Sequence, residues 1–321
     1  MILIFLMILI LLLSPLLLYT GRYRERFVAQ AVRRQRELTY TQLSDGITHY
    51  TVYEPKVSDT YTNKRGTVVM VHGMFVASYV YDRLIQAAVD AGFRVITYDH
   101  YNRGWSDRLE TPMTREVYRR QLRELIQTVV VKKRLPHPVH LIGYSLGGAI
   151  VADFAHHHQE YVASATLIAP LVQGGRLPIV NLLRRYPVLA PYFVRVLLVD
   201  RLIKRADQGF LVHPNPEPFY EYNSEQFDIK GTEYAIVQQL THATDLDYVE
   251  DYQALGQSRV PIQLLYGTRD TEIPPNTIAL ARENMPSVEY HEFDAGHGIL
   301  QDQMEAVAPV IVAFLSRQVV A

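Results

Sequence analysis

Short apolar runs rich in β-branched residues recur along this 321-residue sequence, with helical stretches between them. Thr67-Val68-Val69-Met70-Val71 is the clearest, and residues 93–98, 139–143, 165–168, 262–266 and 288–293 repeat the pattern. Runs this short and this apolar suit strands covered on both faces, as in a parallel sheet. Between them, helices are expected over 79–91 (stopped by Gly92), 115–132, 147–157 and 305–316. A β-like piece over 46–53 comes earlier, followed by a polar turn over 54–66. Strands alternating with helices give an α/β class with a mostly parallel sheet flanked by helices.

The alternation stops between Pro170 and Pro261. Some ninety structureless residues inside a compact domain are implausible. Residues 171–230 are therefore read as a helical cap, inserted into a core formed by 39–170 and 231–321, with a later helix near 232–246.

Residues 1–18, MILIFLMILILLLSPLLL, are apolar except for Ser14 and Pro15. At about 1.5 Å per residue they cover about 27 Å, enough to cross a hydrocarbon core. No basic residue precedes Arg22 and no small-x-small site follows, unlike a cleaved signal peptide. Residues 1–20 are read as one uncleaved transmembrane anchor. Tyr19 and Tyr23 stand at the interface, and the arginines place the body in the cytoplasm. A cleaved signal and the opposite orientation are the alternatives. Residues 21–38 form a basic juxtamembrane segment, with Arg22, Arg24, Arg26, Arg33, Arg34 and Arg36 suited to anionic headgroups or to a solvated face.

Composition removes whole classes of function. Thirty-two basic residues against 33 acidic ones leave a net charge of −1, so no nucleic-acid partner is expected. With no cysteine there is no disulfide, thiolate metal site or thiol nucleophile.

The chemistry collects at strand ends. Gly143-Tyr144-Ser145-Leu146-Gly147 matches G-x-S-x-G, with an apolar strand before it and a small-residue helix start after it. That is the context of a nucleophile elbow, in which side chains at Gly143 and Gly147 would collide with backbone. Ser145 is the candidate nucleophile. A serine hydroxyl needs a base, and His297, on the glycine-flanked loop after the last strand, is the candidate. His291 alternates within a strand. His156, His157 and His158 are consecutive, whereas helical metal ligands want i, i+4 spacing. Asp270, just past the 262–266 strand, is the candidate to orient the base. Glu272 and Asp294 compete, although Asp294 is too near His297 in sequence to approach from a separate strand. For an oxyanion the Leu146 N–H comes with the elbow, and Met74 is chosen as second donor with Phe75 open.

His72-Gly73, the stretch from Asp99 to Asp107, GYSLGG, YGTRDTEIP and AGHG, in this order, resemble the α/β-hydrolase superfamily from about residue 68 to 316. Within it the chain is similar to membrane-anchored serine hydrolases of the monoacylglycerol lipase and esterase type. The resemblance implies the Ser…Asp…His order of Ser145, Asp270 and His297, and a cap between the sixth and seventh core strands. It also implies structural roles for Asp99 and Arg103, and a bracing role for His72. Met74 after His-Gly and Tyr144 before the serine depart from the usual pattern. Such a triad needs no metal or organic cofactor and cleaves carboxylic esters through an acyl-enzyme. A monoacylglycerol, lysophospholipid or other long-chain ester is the expected substrate, with Leu182, Leu183, Leu197 and Leu198 either contacting it or simply packing on the core. Peptidase-like, thioesterase and C–C hydrolase activity on a soluble molecule are enzyme alternatives. A catalytically silent scaffold on the same fold is the non-enzyme one. Oligomeric state is not legible.

Overall fold

The computed structural model describes residues 29–55, 65–174, 178–209, 216–243 and 247–318. The anchor expected over 1–20, the first part of the juxtamembrane segment and most of the expected 54–66 turn lie outside the described residues. Among the described residues no helix is long and apolar enough to cross a membrane.

Among the described residues eight strands form one sheet: β1 (Tyr40–Gln42), β2 (Ile47–Tyr53), β3 (Thr67–Val71), β4 (Arg94–Tyr98), β5 (Val139–Tyr144), β6 (Val162–Ile168), β7 (Ile262–Gly267) and β8 (Glu289–Phe293). Their order is β1-β2-β4-β3-β5-β6-β7-β8. The β1–β2 and β2–β4 pairs are antiparallel, and every later pair is parallel. Strands β3, β4, β5 and β7 are buried at every position. Period-2 alternation divides their side chains between two apolar layers. Val69, Val71 and Leu141 face the Arg115–Leu125 and Leu146–His157 helices. Val68, Met70 and Ile142 face the Asp82–Asp90 and Met304–Arg317 helices. The outermost strand β8 is half-buried and carries Glu289, His291 and Glu292.

Because β3 pairs with β4 on one side and β5 on the other, the chain order reverses there. A crevice opens at the carboxyl ends of strands around such a reversal, which is where open α/β sheets bind ligands.

The helices of the insertion close over a third apolar cluster that includes Val180, Leu183, Val194 and Phe227. Ile236, Val237 and Leu240 of the Thr232–Ala243 helix belong to the same cluster. The cap therefore runs past Lys230, the limit drawn from sequence, because that helix turns its apolar stripe to the insertion. The next helix, Val249–Gln257, buries Tyr252 and Leu255 in the core.

The juxtamembrane arginines also need correction. Arg33 is 2% exposed and donates to the Trp105 carbonyl and Asp107, both at 2.8 Å. Arg36 pairs with Glu221 at 2.8 Å and Glu225 at 3.0 Å. Arg33 is consumed inside the protein, and Arg36 is paired with cap carboxylates at the surface.

Candidate active site

Ser145 stands between β5 and the Leu146–His157 helix with φ +55° and ψ −120°. That left-handed conformation is costly for a residue with a Cβ and persists only where its surroundings enforce it. The Ser145 N–H donates to the Ile168 carbonyl at 2.9 Å. Its own carbonyl accepts from Gly148 at 2.9 Å and Leu171 at 3.0 Å. A Cβ at Gly147 would overlap the Val71 carbonyl, and one at Gly143 would overlap that of Gly147. The two glycines therefore let β5, β3 and the helix meet closely enough to present the serine.

Three of the residues singled out from sequence come together at that point. Ser145 Oγ lies 3.0 Å from His297 Nε2, and His297 Nδ1 lies 2.8 Å from Asp270 Oδ2. The other oxygen of Asp270 accepts the backbone N–H groups of Glu272 and Ile273 at 2.8 and 3.0 Å. With Oδ1 so occupied and the side chain fully buried, Oδ2 has a fixed direction toward the imidazole. Nδ1 then carries the proton, and Nε2 is free to accept one from the serine hydroxyl.

The two competing carboxylates lie elsewhere. Asp294 is 80% exposed and pairs with Arg269 at 2.8 Å. Glu272 approaches His297 only on the Nε2 side, at 3.9 Å, and is paired with Arg205 of the cap. Sequence offered no signal for the Arg205–Glu272 pair, since its members come from separate parts of the chain.

The loop after β3 forms the facing wall. A Cβ on Gly73 would stand 3.2 Å from that of Ser145, so the loop passes close over the serine. His72 sets its orientation. Nε2 of His72 accepts the His100 N–H at 2.9 Å, which leaves the ring proton on Nδ1 to donate to the Gly73 carbonyl at 2.8 Å. Burial pushes His72 down to about 4, only partly opposed by Asp99, so the ring is neutral near pH 7. Because a trans peptide sets its C=O and N–H in opposite directions, fixing the Gly73 carbonyl also fixes the Met74 N–H. The Met74 carbonyl in turn accepts from Arg103 Nε at 2.6 Å. Among the described residues, the amides of Leu146, Met74 and Phe75 have no acceptor.

Arg103 and Asp99 are buried braces. Arg103 reaches Gln239 of the cap as well as Met74, and burial lowers it to about 10, so it stays charged at neutral pH. Burial alone would raise Asp99, but His49 at 2.8 Å and the Tyr222 hydroxyl at 2.6 Å hold it below the usual carboxylate range. Tyr222, from the cap, stacks on Trp105 with ring centroids 3.6 Å apart.

Tyr144 has a role that the sequence pattern did not assign. Its hydroxyl donates to the His297 carbonyl at 3.0 Å, tying the histidine loop to the residue beside the serine. The other histidines weighed from the sequence are structural or superficial. His291 bonds Glu289 at 2.9 Å. His156 and His157 close the Leu146–His157 helix, and His158 lies just beyond it. Donor atoms of His156, His157 and Asp251 lie within 4.8 Å of one another, but Asp251 is paired with Arg115, whose positive charge opposes a cation there.

A cavity of about 380 Å³ opens over Ser145 and His297. Met74, Phe75, Val76, Val80 and Leu202 give it an apolar wall, and Arg205, Arg269, Glu272 and Asp302 a charged rim. The leucines proposed for substrate contact do not line it: Leu183 is buried in the cap cluster, and Leu197 is exposed.

Comparison with known proteins bears on the fold and the family. The pimeloyl-[acyl-carrier protein] methyl ester esterase of Vibrio cholerae is 24% identical over 78% of this chain and 94% of its own. A cis-3-alkyl-4-alkyloxetan-2-one decarboxylase of Shewanella oneidensis is 24% identical over 78% of this chain and 81% of its own. A Mycobacterium phage D29 protein named for haloperoxidase chemistry is 31% identical, but this chain matches only 34% of its length. Among solved structures, an enol-lactonase from Burkholderia xenovorans superposes with a TM-score of 0.68 at 17% identity, over 87% of this chain and all of its own. An esterase from Exiguobacterium antarcticum gives 0.66 at 20% identity, over 86% and 98%. These likenesses establish the fold. The model of the Hydrolase_4 family, described as serine aminopeptidase S33, matches residues 62–304, and the chain therefore belongs to that family of α/β-hydrolases.

Proposed function

We propose that the protein is a serine hydrolase of carboxylic esters, with Ser145 as nucleophile, His297 as base and Asp270 as its orienting carboxylate. The observation that carries this reading is the pair of contacts at 3.0 and 2.8 Å along Ser145–His297–Asp270, at the floor of a cavity of about 380 Å³. His297 takes the hydroxyl proton as Oγ attacks the acyl carbon. The Leu146 and Met74 N–H groups receive the oxyanion, as electrostatic stabilisation at such a site requires. His297 then protonates the leaving alcohol, and water activated by the same imidazole resolves the acyl-enzyme. Asp270 holds the tautomer and stabilises the imidazolium. Every step uses a group of this chain.

The substrate assigned is a long-chain ester drawn from a membrane, such as a monoacylglycerol or lysophospholipid. Two features support it: the apolar wall around Met74, Phe75 and Leu202, and the apolar run over 1–18. In this reading residues 1–20 anchor the chain and the hydrolase body stands on the cytoplasmic side.

Hydrolysis of p-nitrophenyl esters from acetyl to palmitoyl tests it, with Ser145→Ala as control. Activity should rise with chain length, and the variant should lose both turnover and labelling by a fluorophosphonate. Activity confined to short chains would remove the lipid assignment. Activity unchanged in the variant would remove the nucleophile.

A further inference from the structure

A second carboxylate stands on the side of His297 that faces the serine. Glu272 Oε2 lies 3.9 Å from His297 Nε2, the nitrogen that meets Ser145 Oγ at 3.0 Å. Asp270 occupies the other nitrogen, and its bond there keeps Nε2 as the proton-accepting atom. A free carboxylate beside Nε2 acts against that arrangement. It favours the imidazolium, as any nearby opposite charge does. Nε2 of an imidazolium already carries a proton and can take none from the hydroxyl.

Arg205 meets this second charge. Its guanidinium pairs with Oε1 of Glu272, while Oε2 is the oxygen nearer the imidazole. Arg205 belongs to the Asp200–Gly209 helix of the cap, and Leu202 and Ala206 of the same helix line the cavity over Ser145. Glu272 lies on the loop that follows β7 in the core. The pair therefore crosses from cap to core at the rim of the cavity.

The other charges around the cavity leave that task to Arg205. Arg269 pairs with Asp294 at 2.8 Å. Asp302 is exposed and, among the described residues, forms no ion pair with the imidazole, whose carboxylate neighbours are Asp270 and Glu272. The Tyr144 ring lies 5.2 Å from that of His297, and burial raises its hydroxyl, so it stays neutral.

We propose that Arg205 is a positioning residue for the base and acts through Glu272. By pairing with Glu272 it keeps a second negative charge from holding a proton on Nε2, which makes a proton-free Nε2 conditional on the cap lying over the site. The inference rests on His297 as the base of the proposed reaction.

The test is the pH profile of kcat/KM for p-nitrophenyl acetate, whose acid limb reports the base of the free enzyme. The Arg205 side chain is 60% exposed, so its replacement leaves the core intact. Charges as close as Glu272 and His297 influence one another by about one pH unit even where solvent screens them. Arg205→Ala should therefore move the acid limb up by about one pH unit, with about a tenfold loss on its acid side and little on the plateau. Arg205→Lys keeps the charge and should hold the limb near its wild-type position. Adding Glu272→Gln to Arg205→Ala should return the limb to the wild-type position or below it. An unmoved limb in Arg205→Ala would overturn the proposal. A uniform loss at every pH that Glu272→Gln does not restore would also overturn it and reduce the pair to a fastening of the cap. Ser145→Ala, measured alongside, separates the two readings. Its loss of activity together with an unmoved limb removes the role of Arg205 alone, whereas activity retained in Ser145→Ala removes the triad and this role with it.

Discussion

Asp270 and Glu272 stand two residues apart, and each places a carboxylate near His297, yet on opposite nitrogens. Asp270 meets Nδ1 from a buried position with its second oxygen held by two amides. Glu272 stands 3.9 Å from Nε2 at the solvent edge. Asp270→Asn should lower kcat by about 10³- to 10⁴-fold, because an amide stabilises the wrong tautomer. Glu272→Gln should cost no more than about tenfold, since it removes only a solvent-screened charge. Steady-state kinetics on a soluble ester decide between them, and the reverse order would reassign the acid. At this scale the sequence was legible where a motif fixes backbone: Gly143 and Gly147 flank Ser145 in a turn whose close approach admits no side chain at either glycine. It was illegible where function depends on which side of a ring a group reaches. The Tyr144 hydroxyl on the His297 carbonyl and Arg205 against Glu272 join residues with no common pattern in the chain.

Strands and helices were legible because burial on two faces leaves an unmistakable run of apolar residues. Strand β3 spans the residues expected of it, and the core helices differ from expectation mainly at their ends. The cap was harder. Its helices bury one stripe against one another, and nothing local says that the Thr232–Ala243 helix joins them. Arg103 links the two regions, since one guanidinium reaches the Met74 carbonyl and Gln239 of that helix. Lysine would keep the charge but lose the planar fork that serves both partners. Arg103→Lys should therefore lower kcat/KM about ten- to a hundredfold, with a loss of about 1–3 kcal/mol in stability from the buried acceptors left unpaired. Kinetics and urea unfolding of the same variant measure the two effects. Unchanged kcat/KM would show that the brace does not govern the Met74 amide.

For the molecule as a whole, three buried histidines set the acid limit of stability. Burial pushes His72 and His140 down to about 4, and it pushes His100 well below its ordinary value. Between about pH 6.5 and 4 the unfolded chain binds protons that the folded chain refuses, so stability falls as the pH drops. At pH 5.5 each histidine costs about 1 kcal/mol relative to pH 7.5, or about 3–4 kcal/mol for all three. Asp153, raised by burial, acts in the opposite sense, but as one group against three. The stabilising contribution of Asp99, depressed below the carboxylate range, is lost only at lower pH. Urea midpoints at the two pH values test this, and equal midpoints would show that the buried rings are not held neutral.

The outermost strand has a consequence for how such chains meet one another. A sheet edge offers unpaired amides and carbonyls to any passing strand, and uncontrolled pairing there leads to fibres. Strand β8 has only five residues, with Glu289, His291 and Glu292 among them, and Arg317 and Arg282 gather at its charged and aromatic side chains. At the opposite margin β1 has only three residues. Both margins are too short and, at β8, too highly charged to template a growing sheet, so crowding many copies together does not by itself invite edge-to-edge polymerisation.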